Sequence, residues 1–251
     1  MRYGIISDVH GNLEALVECL ELMQFSKVDD IFVLGDVVGY GPNPNECISL
    51  LKDKTWVRGN HDYIIANIEY AYETSFNHYA AAAIRWTLQH VTQANRCLLN
   101  ELPEFIKRDG YLLIHGSPAY WDDYILDVFD AYLGIKRMED TQIAFVGHTH
   151  VPECWVWVDE GRKIDVSDVN RVKVTEDNFV LKIEPNAKYI INVGSVGQPR
   201  DENNKGCCVI YDTEAQTIEY LRFSYDYLKT AKRIEKAGLP RVLGERLAYG
   251  R

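Results

Sequence analysis

The first half of the chain alternates short apolar runs with segments that repeat apolar residues at helical spacing. The run from Leu13 to Leu20 has apolar residues three and four positions apart, and a second helical stretch follows Pro44. Strands separated by helices need crossover connections, so this pattern predicts a parallel sheet buried on both faces. The predicted strands lie at 3–7, 30–35 and 55–59.

The pattern changes between residues 63 and 103, where two helices are predicted at 75–91 and 92–102. Thr92 is a suitable cap for the second helix, which has to end before Pro103. We interpret 63–103 as a helical insertion laid over the sheet, within a single domain that spans 1–251.

The remainder of the chain is rich in strands. Two apolar runs end at polar loops near His115 and His148, and alternating or β-branched segments follow. A closing helix is predicted from 225 to Gly238, which would lie just past its end. The later strands are predicted at 153–158, 178–183, 189–195, 206–212 and 217–223.

The charge of the chain narrows the range of partners. It has 27 basic and 37 acidic residues and a formal net charge of −10. This excess disfavours general binding to nucleic acid or to an anionic membrane, so a phosphate-bearing substrate needs a local source of positive charge. The six cysteines form no CxxC pair, which indicates reduced thiols and a cytoplasmic protein. We expect neither a signal peptide after Met1 nor a membrane span.

Each predicted strand of the first half, and the two that follow the insertion, end in polar residues of kinds that bind metal ions. Taken singly, each has an ordinary explanation, either a hydrogen-bonded histidine or a turn residue. Because the strands of one sheet bring their ends to a common edge, their recurrence favours a shared site instead. The residues are Asp8, His10, Asp36, Asn60, His115, His148 and His150.

The kinds of side chain in this set indicate the chemistry. Carboxylate, imidazole and amide groups without a thiolate favour Mn²⁺, Fe or Zn²⁺ over Mg²⁺. Seven ligands are too many for one ion with an open position but suit two ions that share a carboxylate. Two ions about 3.5 to 4 Å apart can bind phosphate oxygens, lower the pKa of a shared water toward roughly 7 and stabilise in-line displacement.

The order of these groups resembles the calcineurin-like metallophosphoesterases. The signature of that family runs DxH, GD, GNH followed by an acidic residue, a later H, and GHxH. All five blocks occur here in that order between Asp8 and His150. The chain is similar in particular to the compact bacterial and archaeal phosphodiesterase-like branch. The resemblance implies an α/β fold, a four-layer α/β/β/α sandwich of two mixed sheets.

The resemblance also implies a role for each residue of the set. His61 would face the scissile phosphate and donate a proton or hydrogen bond to the leaving oxygen, and Asp62 would orient the His61 imidazole. Two divalent cations are implied, with manganese favoured and Fe, Zn, Ni or Mg as alternatives. The implied ligands are Asp8, His10 and His150 for the first metal, Asn60, His115 and His148 for the second, and Asp36 between them.

Other residues have two interpretations each. Asn12 could bind substrate phosphate or cap the helix that begins at Leu13. Arg200 could clamp a phosphate oxygen or pair with Asp201. The aromatic side chains of the insertion could roof the cleft, fill the core or form a dimer contact. They are Tyr63, Tyr70, Tyr72, Phe76, His78, Tyr79 and Trp86.

Together these interpretations predict a metal-dependent phosphoesterase that hydrolyses phosphodiesters or phosphomonoesters by attack of a hydroxide bound to two metals. We favour phosphodiesterase activity on a small phosphate ester such as a nucleotide. The alternatives are a protein phosphatase and a catalytically silent interaction scaffold, similar to the phosphoesterase-fold subunit of retromer. A scaffold should lack catalytic positions of the family, and His61 is present. The sequence leaves a homo-oligomer open.

Overall fold

The protein is described by a computed structural model that covers residues 1–67 and 76–251. Tyr70 and Tyr72 of the predicted insertion lie outside these ranges. Within them the strands are β1 (Arg2–Ile6), β2 (Asp30–Val33), β3 (Thr55–Trp56), β4 (Phe105–Arg108), β5 (Tyr111–Ile114), β6 (Ile143–Val146), β7 (Glu153–Val158), β8 (Val169–Lys173), β9 (Asn178–Lys182), β10 (Ala187–Asn192), β11 (Gly206–Asp212) and β12 (Thr217–Phe223). The helices are α1 (Leu13–Phe25), α2 (Pro44–Leu51), α3 (Asn60–Ala66), α4 (His78–His90), α5 (Gln93–Glu101), α6 (Val128–Arg137), α7 (Tyr227–Lys236) and α8 (Val242–Glu245).

The strands form two mixed sheets of six. The first has the order β3-β2-β1-β11-β12-β9, and the second has the order β4-β5-β6-β10-β7-β8. Strands β1, β2 and β3 are parallel, as the alternation of strands and helices predicts, and so are β5, β6 and β10. Antiparallel strands from the C-terminal half complete both sheets, for example β11 beside β1. The predicted fold of two mixed sheets is confirmed.

The apolar side chains of the inner strands alternate between two cores. In β1, Ile5 points into the core between the sheets, and Ile6 points into the core beneath α1. In the second sheet, Phe145 faces the first sheet, and Val146 faces α6. Because successive side chains of a strand point to opposite faces, an uninterrupted apolar run buries both faces. The layers are therefore helix, sheet, sheet and helix.

The helices of the predicted insertion pack against the first sheet. Ile65, Ile84 and Leu99 are buried in the same core as α1. The Thr92 side chain accepts a hydrogen bond from the Asn95 N–H at 3.2 Å, as expected for the cap of α5. Trp86 donates from its indole nitrogen to the Ala237 carbonyl oxygen at 2.9 Å. The described helices of this segment are thus part of the core, and Trp86 contacts the residue that follows α7 and does not line the cleft.

Strands β4 and β8 and helix α6 were not predicted. Both strands lie at sheet edges and are largely exposed, so they lack the apolar run that marks a buried strand. Helix α6 leaves Phe129 and Leu133 exposed, and this blurs its apolar face. No helix within residues 1–67 and 76–251 is long and apolar enough to cross a bilayer.

Candidate functional site

The polar ends of the inner strands meet at one edge of the two sheets. Three overlapping groups of side chains have ligand atoms within 4.8 Å of one another. All seven predicted ligands are at this edge, since the Asn60 Oδ1 atom lies 3.2 Å from His115 Nε2. The groups are Asp8, His10 and His150; His10, Asp36 and His61; and Asp36, His115 and His148.

The backbone at this edge adopts an unusual conformation. Five of the predicted ligands have a positive φ, which costs a residue with a side chain about 1–2 kcal/mol. The turns are fastened together, because the Asp8 N–H donates to the Gly35 carbonyl and the His10 N–H donates to the Asp36 carbonyl. The φ values are 55° at Asp8, 50° at His10, 53° at Asp36, 66° at His148 and 61° at His150.

Two glycines of the sequence blocks predicted to bind metal are required because a carboxylate approaches each of them closely. A Cβ atom at Gly59 would lie 2.0 Å from Asp36 Oδ1, and one at Gly147 would lie 2.5 Å from Asp8 Oδ2. No side chain fits at either position while the two carboxylates keep their places. The glycines of GNHD and GHTH therefore make room for the predicted ligands Asp36 and Asp8.

Three histidines of the site direct their Nε2 atoms into the cluster, and each of these atoms offers a lone pair when its ring is neutral. Each Nδ1 lies beside a backbone carbonyl, which accepts only if Nδ1 carries the proton, so Nε2 of a neutral ring has none. This second contact fixes the ring as it does in metal sites generally. The pairs are His10 with Val38 at 3.0 Å, His115 with Leu34 at 2.7 Å and His150 with Gln198 at 2.6 Å.

These lone pairs face other acceptors at short range. His10 Nε2 and His150 Nε2 are 3.2 Å apart, and His150 Nε2 lies 3.1 Å from Asp8 Oδ1. Asp8 Oδ1 is buried and has no hydrogen-bond donor among the described residues. Asp36 Oδ2 lies 3.7 Å from His10 Nε2 and 3.5 Å from His115 Nε2, between the two halves of the cluster. Electron-rich atoms packed in this way fit divalent cations, and the nitrogen and oxygen donors suit Mn²⁺, Fe or Zn²⁺.

The electrostatics keep most of these groups in the form that binds metal. Burial lowers the pKa of His10 well below its usual value and lowers that of His148 to about 3. Burial opposes ionisation of Asp8, but the neighbouring His150 holds the pKa of this carboxyl below its usual range. His115 differs, because the adjacent Asp36 outweighs burial and raises its pKa to about 9.

His61 lies beside the cluster with its ring in an aromatic setting. The ring contacts those of His10, Tyr40 and Phe76, with centroids 4.9, 4.8 and 5.0 Å away. The backbone N–H of His61 donates to Asp36 Oδ1 at 2.9 Å. Burial lowers the pKa of the imidazole to about 4, so the ring is neutral near pH 7. Its predicted part in proton donation stays a prediction.

Asp62 does not make the contact that we predicted. No hydrogen bond joins its carboxylate to His61 among the described residues, and the Nδ1 atom of His61 is buried without a partner there. The carboxylate instead accepts from three backbone N–H groups, those of Val37 at 3.0 Å, Val38 at 3.2 Å and Gly59 at 3.2 Å. These N–H groups, exposed by the turns, take both oxygens, and the orienting role of Asp62 stays a prediction. Asp62 fastens the turn after β2 to the start of α3.

The structure gives the contacts of Asn12 and of Arg200, and their predicted parts in substrate binding stay predictions. The Asn12 Oδ1 atom accepts from the Ala15 N–H at 3.2 Å, and Nδ2 donates to the Gly197 carbonyl at 2.8 Å, so Asn12 caps α1. Asp201 pairs with Arg222 and not with Arg200. The Arg200 guanidinium donates to Gln198 Oε1 at 2.8 Å and borders the cleft described next.

A cavity of about 450 Å³ opens beside the cluster. Asp36, Asn60, His61, His148 and His150 reach its wall, and Arg200 borders it. Of the insertion's aromatic residues, for which a roof over the cleft was one of three interpretations, Tyr63 and Phe76 line the cavity. His78, Tyr79 and Trp86 do not. Sequence reasoning missed three other rings that line the cavity, although they stand in one aromatic-rich segment shortly after His115. These are Tyr120, Trp121 and Tyr124.

Known proteins resemble this chain in sequence and in fold. The model of the calcineurin-like phosphoesterase superfamily domain matches residues 1–216. An uncharacterised protein of Methanocaldococcus jannaschii is 38% identical over 261 residues, which cover 99% of this chain and 98% of that protein. The crystal structure of a metallophosphoesterase from Sphaerobacter thermophilus is 35% identical with a TM-score of 0.86, and the match covers 100% of both chains.

A more distant relative carries the name of an enzyme. A symmetrical bis(5′-nucleosyl)-tetraphosphatase of Coxiella burnetii is 34% identical over 134 residues, which span 47% of this chain and 43% of that protein. This match covers less than half of either chain. The family match over most of the sequence and the two full-length relatives show that the chain belongs to the calcineurin-like phosphoesterase superfamily.

Proposed function

We propose that this phosphoesterase is a metal-dependent hydrolase of small phosphate esters, with nucleotide phosphodiesters as the favoured substrates. The observation that carries the proposal is the packing of unpaired electron-rich atoms, such as His10 Nε2, His150 Nε2 and Asp8 Oδ1, beside an open cavity. A purely structural cluster would pair these atoms with donors. Their arrangement supports a site that holds cations next to a substrate.

The residues divide between two cation positions. Asp36 lies between the two halves and would be shared by both. Divalent cations bound there, for which we favour manganese, supply positive charge to phosphate oxygens and lower the pKa of a coordinated water. The first position would be held by Asp8, His10 and His150, and the second by Asn60, His115 and His148.

Two further residues act on the substrate in this proposal. Arg200 borders the cavity and offers a guanidinium to a non-bridging phosphate oxygen. His61 turns its Nδ1 toward Gly39, since a Cβ atom built there would lie 2.5 Å from this nitrogen. The other nitrogen, Nε2, is therefore the atom that we assign to donate a hydrogen bond to the leaving oxygen. With a pKa of about 4, the ring does so as a neutral imidazole.

The proposed nucleotide preference takes its support from the tetraphosphatase relative and from the aromatic walls of the cavity. Nucleotides combine phosphate with an aromatic base, and the cavity combines the candidate cation positions with aromatic rings. Dinucleoside polyphosphates and cyclic nucleotides are the diesters and anhydrides to test first. Phosphomonoesters belong in the same panel, because they share the phosphate and test the preference for diesters.

The test begins with metal-free protein reloaded separately with Mn²⁺, Ni²⁺, Fe²⁺, Zn²⁺ or Mg²⁺ and assayed on that panel. We expect hydrolysis with at least one metal, the highest rate with Mn²⁺ and a preference for nucleotide diesters. Absence of turnover with every metal, although metal is bound, would refute the hydrolase assignment.

The role of His61 is tested with the His61→Ala variant and the matched control His90→Ala, whose ring is exposed and stacks on Trp86. A lost proton or hydrogen-bond donor costs about 10²–10⁴-fold in rate, and more for an alkoxide than for a p-nitrophenolate leaving group. Equal losses on both kinds of ester, or no loss at unchanged metal content, would contradict this role.

A further inference from the structure

The segment from Gly116 to Ile125 is folded back on itself directly after His115. The Gly116 N–H donates to the Trp121 carbonyl at 2.7 Å, and the Ser117 N–H donates to the Tyr120 carbonyl at 3.1 Å. Ile125 anchors the far end in the core beneath α6. A segment bonded in this way holds its backbone in place, so the rings that it carries start from fixed positions beside the cavity.

We call Tyr120, Trp121 and Tyr124 the aromatic platform. The Tyr124 ring stacks on that of His148, with centroids 3.7 Å apart and planes inclined by 17°. Trp121 is held by Tyr63, whose ring centroid lies 5.7 Å away, and by the Arg58 guanidinium at 5.3 Å. The platform is therefore in direct contact with a candidate metal ligand, His148.

Part of the platform has no partner among the residues that the structure describes. Tyr120 is 58% exposed and makes no side-chain hydrogen bond or ring contact within 1–67 and 76–251. Tyr124 is 47% exposed, and its only ring contact in these ranges is with His148. Both side chains line the cavity of about 450 Å³, a size typical of small-molecule sites. Exposed rings in such a cavity are suited to a flat apolar group.

The charges of the cavity give it a direction. Arg200 and the candidate cation positions favour phosphate beside them. On the platform side, the charge of Arg58 is paired with that of Glu104, and Asp122 adds a carboxylate. The surroundings of Trp121 disfavour phosphate because the described residues there offer no unpaired positive charge. A ligand that fits this cavity carries both a phosphate and an aromatic group.

We propose that the aromatic platform binds the base of a nucleotide whose phosphate lies at the candidate metal centre. This deepens the proposed function and rests on it for the position of the phosphate. Stacking between a base and an aromatic side chain tolerates any base, because each base has a π-face. The platform thus selects nucleotide esters over esters without an aromatic group.

The test compares adenosine 5′-monophosphate with ribose 5-phosphate, which share phosphate and sugar and differ only in the adenine ring. Both are titrated calorimetrically into metal-loaded protein that carries His61→Ala, so that turnover does not disturb the binding signal. We expect the adenine compound to bind about tenfold or more tightly. Tyr124→Ala and Tyr120→Ala should each reduce this ratio severalfold, and Tyr124→Phe should preserve it.

The matched control is Tyr249→Ala, which removes an exposed tyrosine that does not line this cavity. Equal affinities of the two compounds, or equal losses of both in the alanine variants, would overturn the proposal. So would a dimer, detected by sedimentation, that Tyr124→Ala dissociates while the ratio stays unchanged. Hydrolysis by wild-type protein is measured in parallel. If the adenine compound binds more tightly but the wild-type protein hydrolyses nothing, the platform is supported and the proposed function is refuted. If the wild-type protein hydrolyses esters but the two compounds bind equally, the proposed function is supported and the platform is refuted.

Discussion

The buried carboxylate of Asp62 gives a quantitative prediction of stability. Asp62 is fully buried and accepts from the backbone N–H groups of Val37, Val38 and Gly59. Replacement by alanine leaves three buried donors without an acceptor. Each such donor costs about 1–3 kcal/mol, and removal of the buried charge offsets part of the sum. We expect Asp62→Ala to lower the free energy of unfolding by roughly 3 kcal/mol, a large share of the 5–15 kcal/mol of an ordinary domain.

The Asp62→Asn variant refines this prediction. The amide oxygen can still accept from Val37 and Val38, but the amide nitrogen then faces the Gly59 N–H, and one bond is lost. We expect a loss of about 1–2 kcal/mol for this variant. The measurement is urea unfolding near pH 8 with a chelator present. These conditions remove any contribution of bound metal. They also keep Asp62 ionised, because burial raises the pKa of its carboxyl only to about 7.

The control is Asp53→Ala, which removes an exposed aspartate at the surface. If Asp62→Ala unfolds within 0.5 kcal/mol of the wild-type protein, the fastening role of this carboxylate is wrong. If Asp62→Asn keeps full stability but loses turnover, orientation of His61 becomes the better account of the residue.

Three further predictions concern other parts of the molecule. Removal of metal should lower the unfolding temperature measured by calorimetry. Reloading with free metal at one hundred times its dissociation constant should raise the free energy of unfolding by about 2.7 kcal/mol. An unchanged unfolding temperature would contradict a metal site. Tyr220→Phe removes a buried hydrogen bond of 2.9 Å to the Glu153 carbonyl and should cost about 1 kcal/mol in urea unfolding; a neutral result would mean that water replaces the hydroxyl. Burial raises the pKa of Glu153 despite its pairing with Arg171, so the stabilisation from this group is fullest below about pH 4.5 and is lost as the pH rises through the folded-state pKa. Glu153→Gln should therefore gain stability relative to wild type as the pH rises, and parallel unfolding curves at all pH values would refute this.

The sequence was most informative where a residue's position along a strand determined its place in space. Asp8 and Asp36 each follow an apolar strand of the first sheet, so its parallel arrangement brought them to one edge whatever the loops did. His148 follows β6 of the second sheet and reaches the same edge because the two sheets pack against each other. The inner strands were equally predictable, because a run buried on both faces has no polar interruptions.

The features that escaped prediction depend on partners far away in the chain. Asp62 could be assigned only after the turn at Val37 and Val38 was placed, because nothing in GNHD shows that the backbone would claim its oxygens. Likewise, the rings of Tyr120 and Tyr124 resembled an ordinary aromatic loop until the cavity beside them was visible. Edge strands β4 and β8 are fixed by pairing with neighbours and not by their own composition.

The candidate ligands come from both sheets, and this has a consequence for the order of events during synthesis. Asp8, His10 and Asp36 leave the ribosome early, but each of the two proposed cation positions also needs a histidine at 115 or beyond. A nascent chain that has emerged only as far as β5 therefore holds no finished site. A cation would therefore bind only after the second sheet has packed against the first. Bound metal would then report the completed fold and would hold the two sheets together.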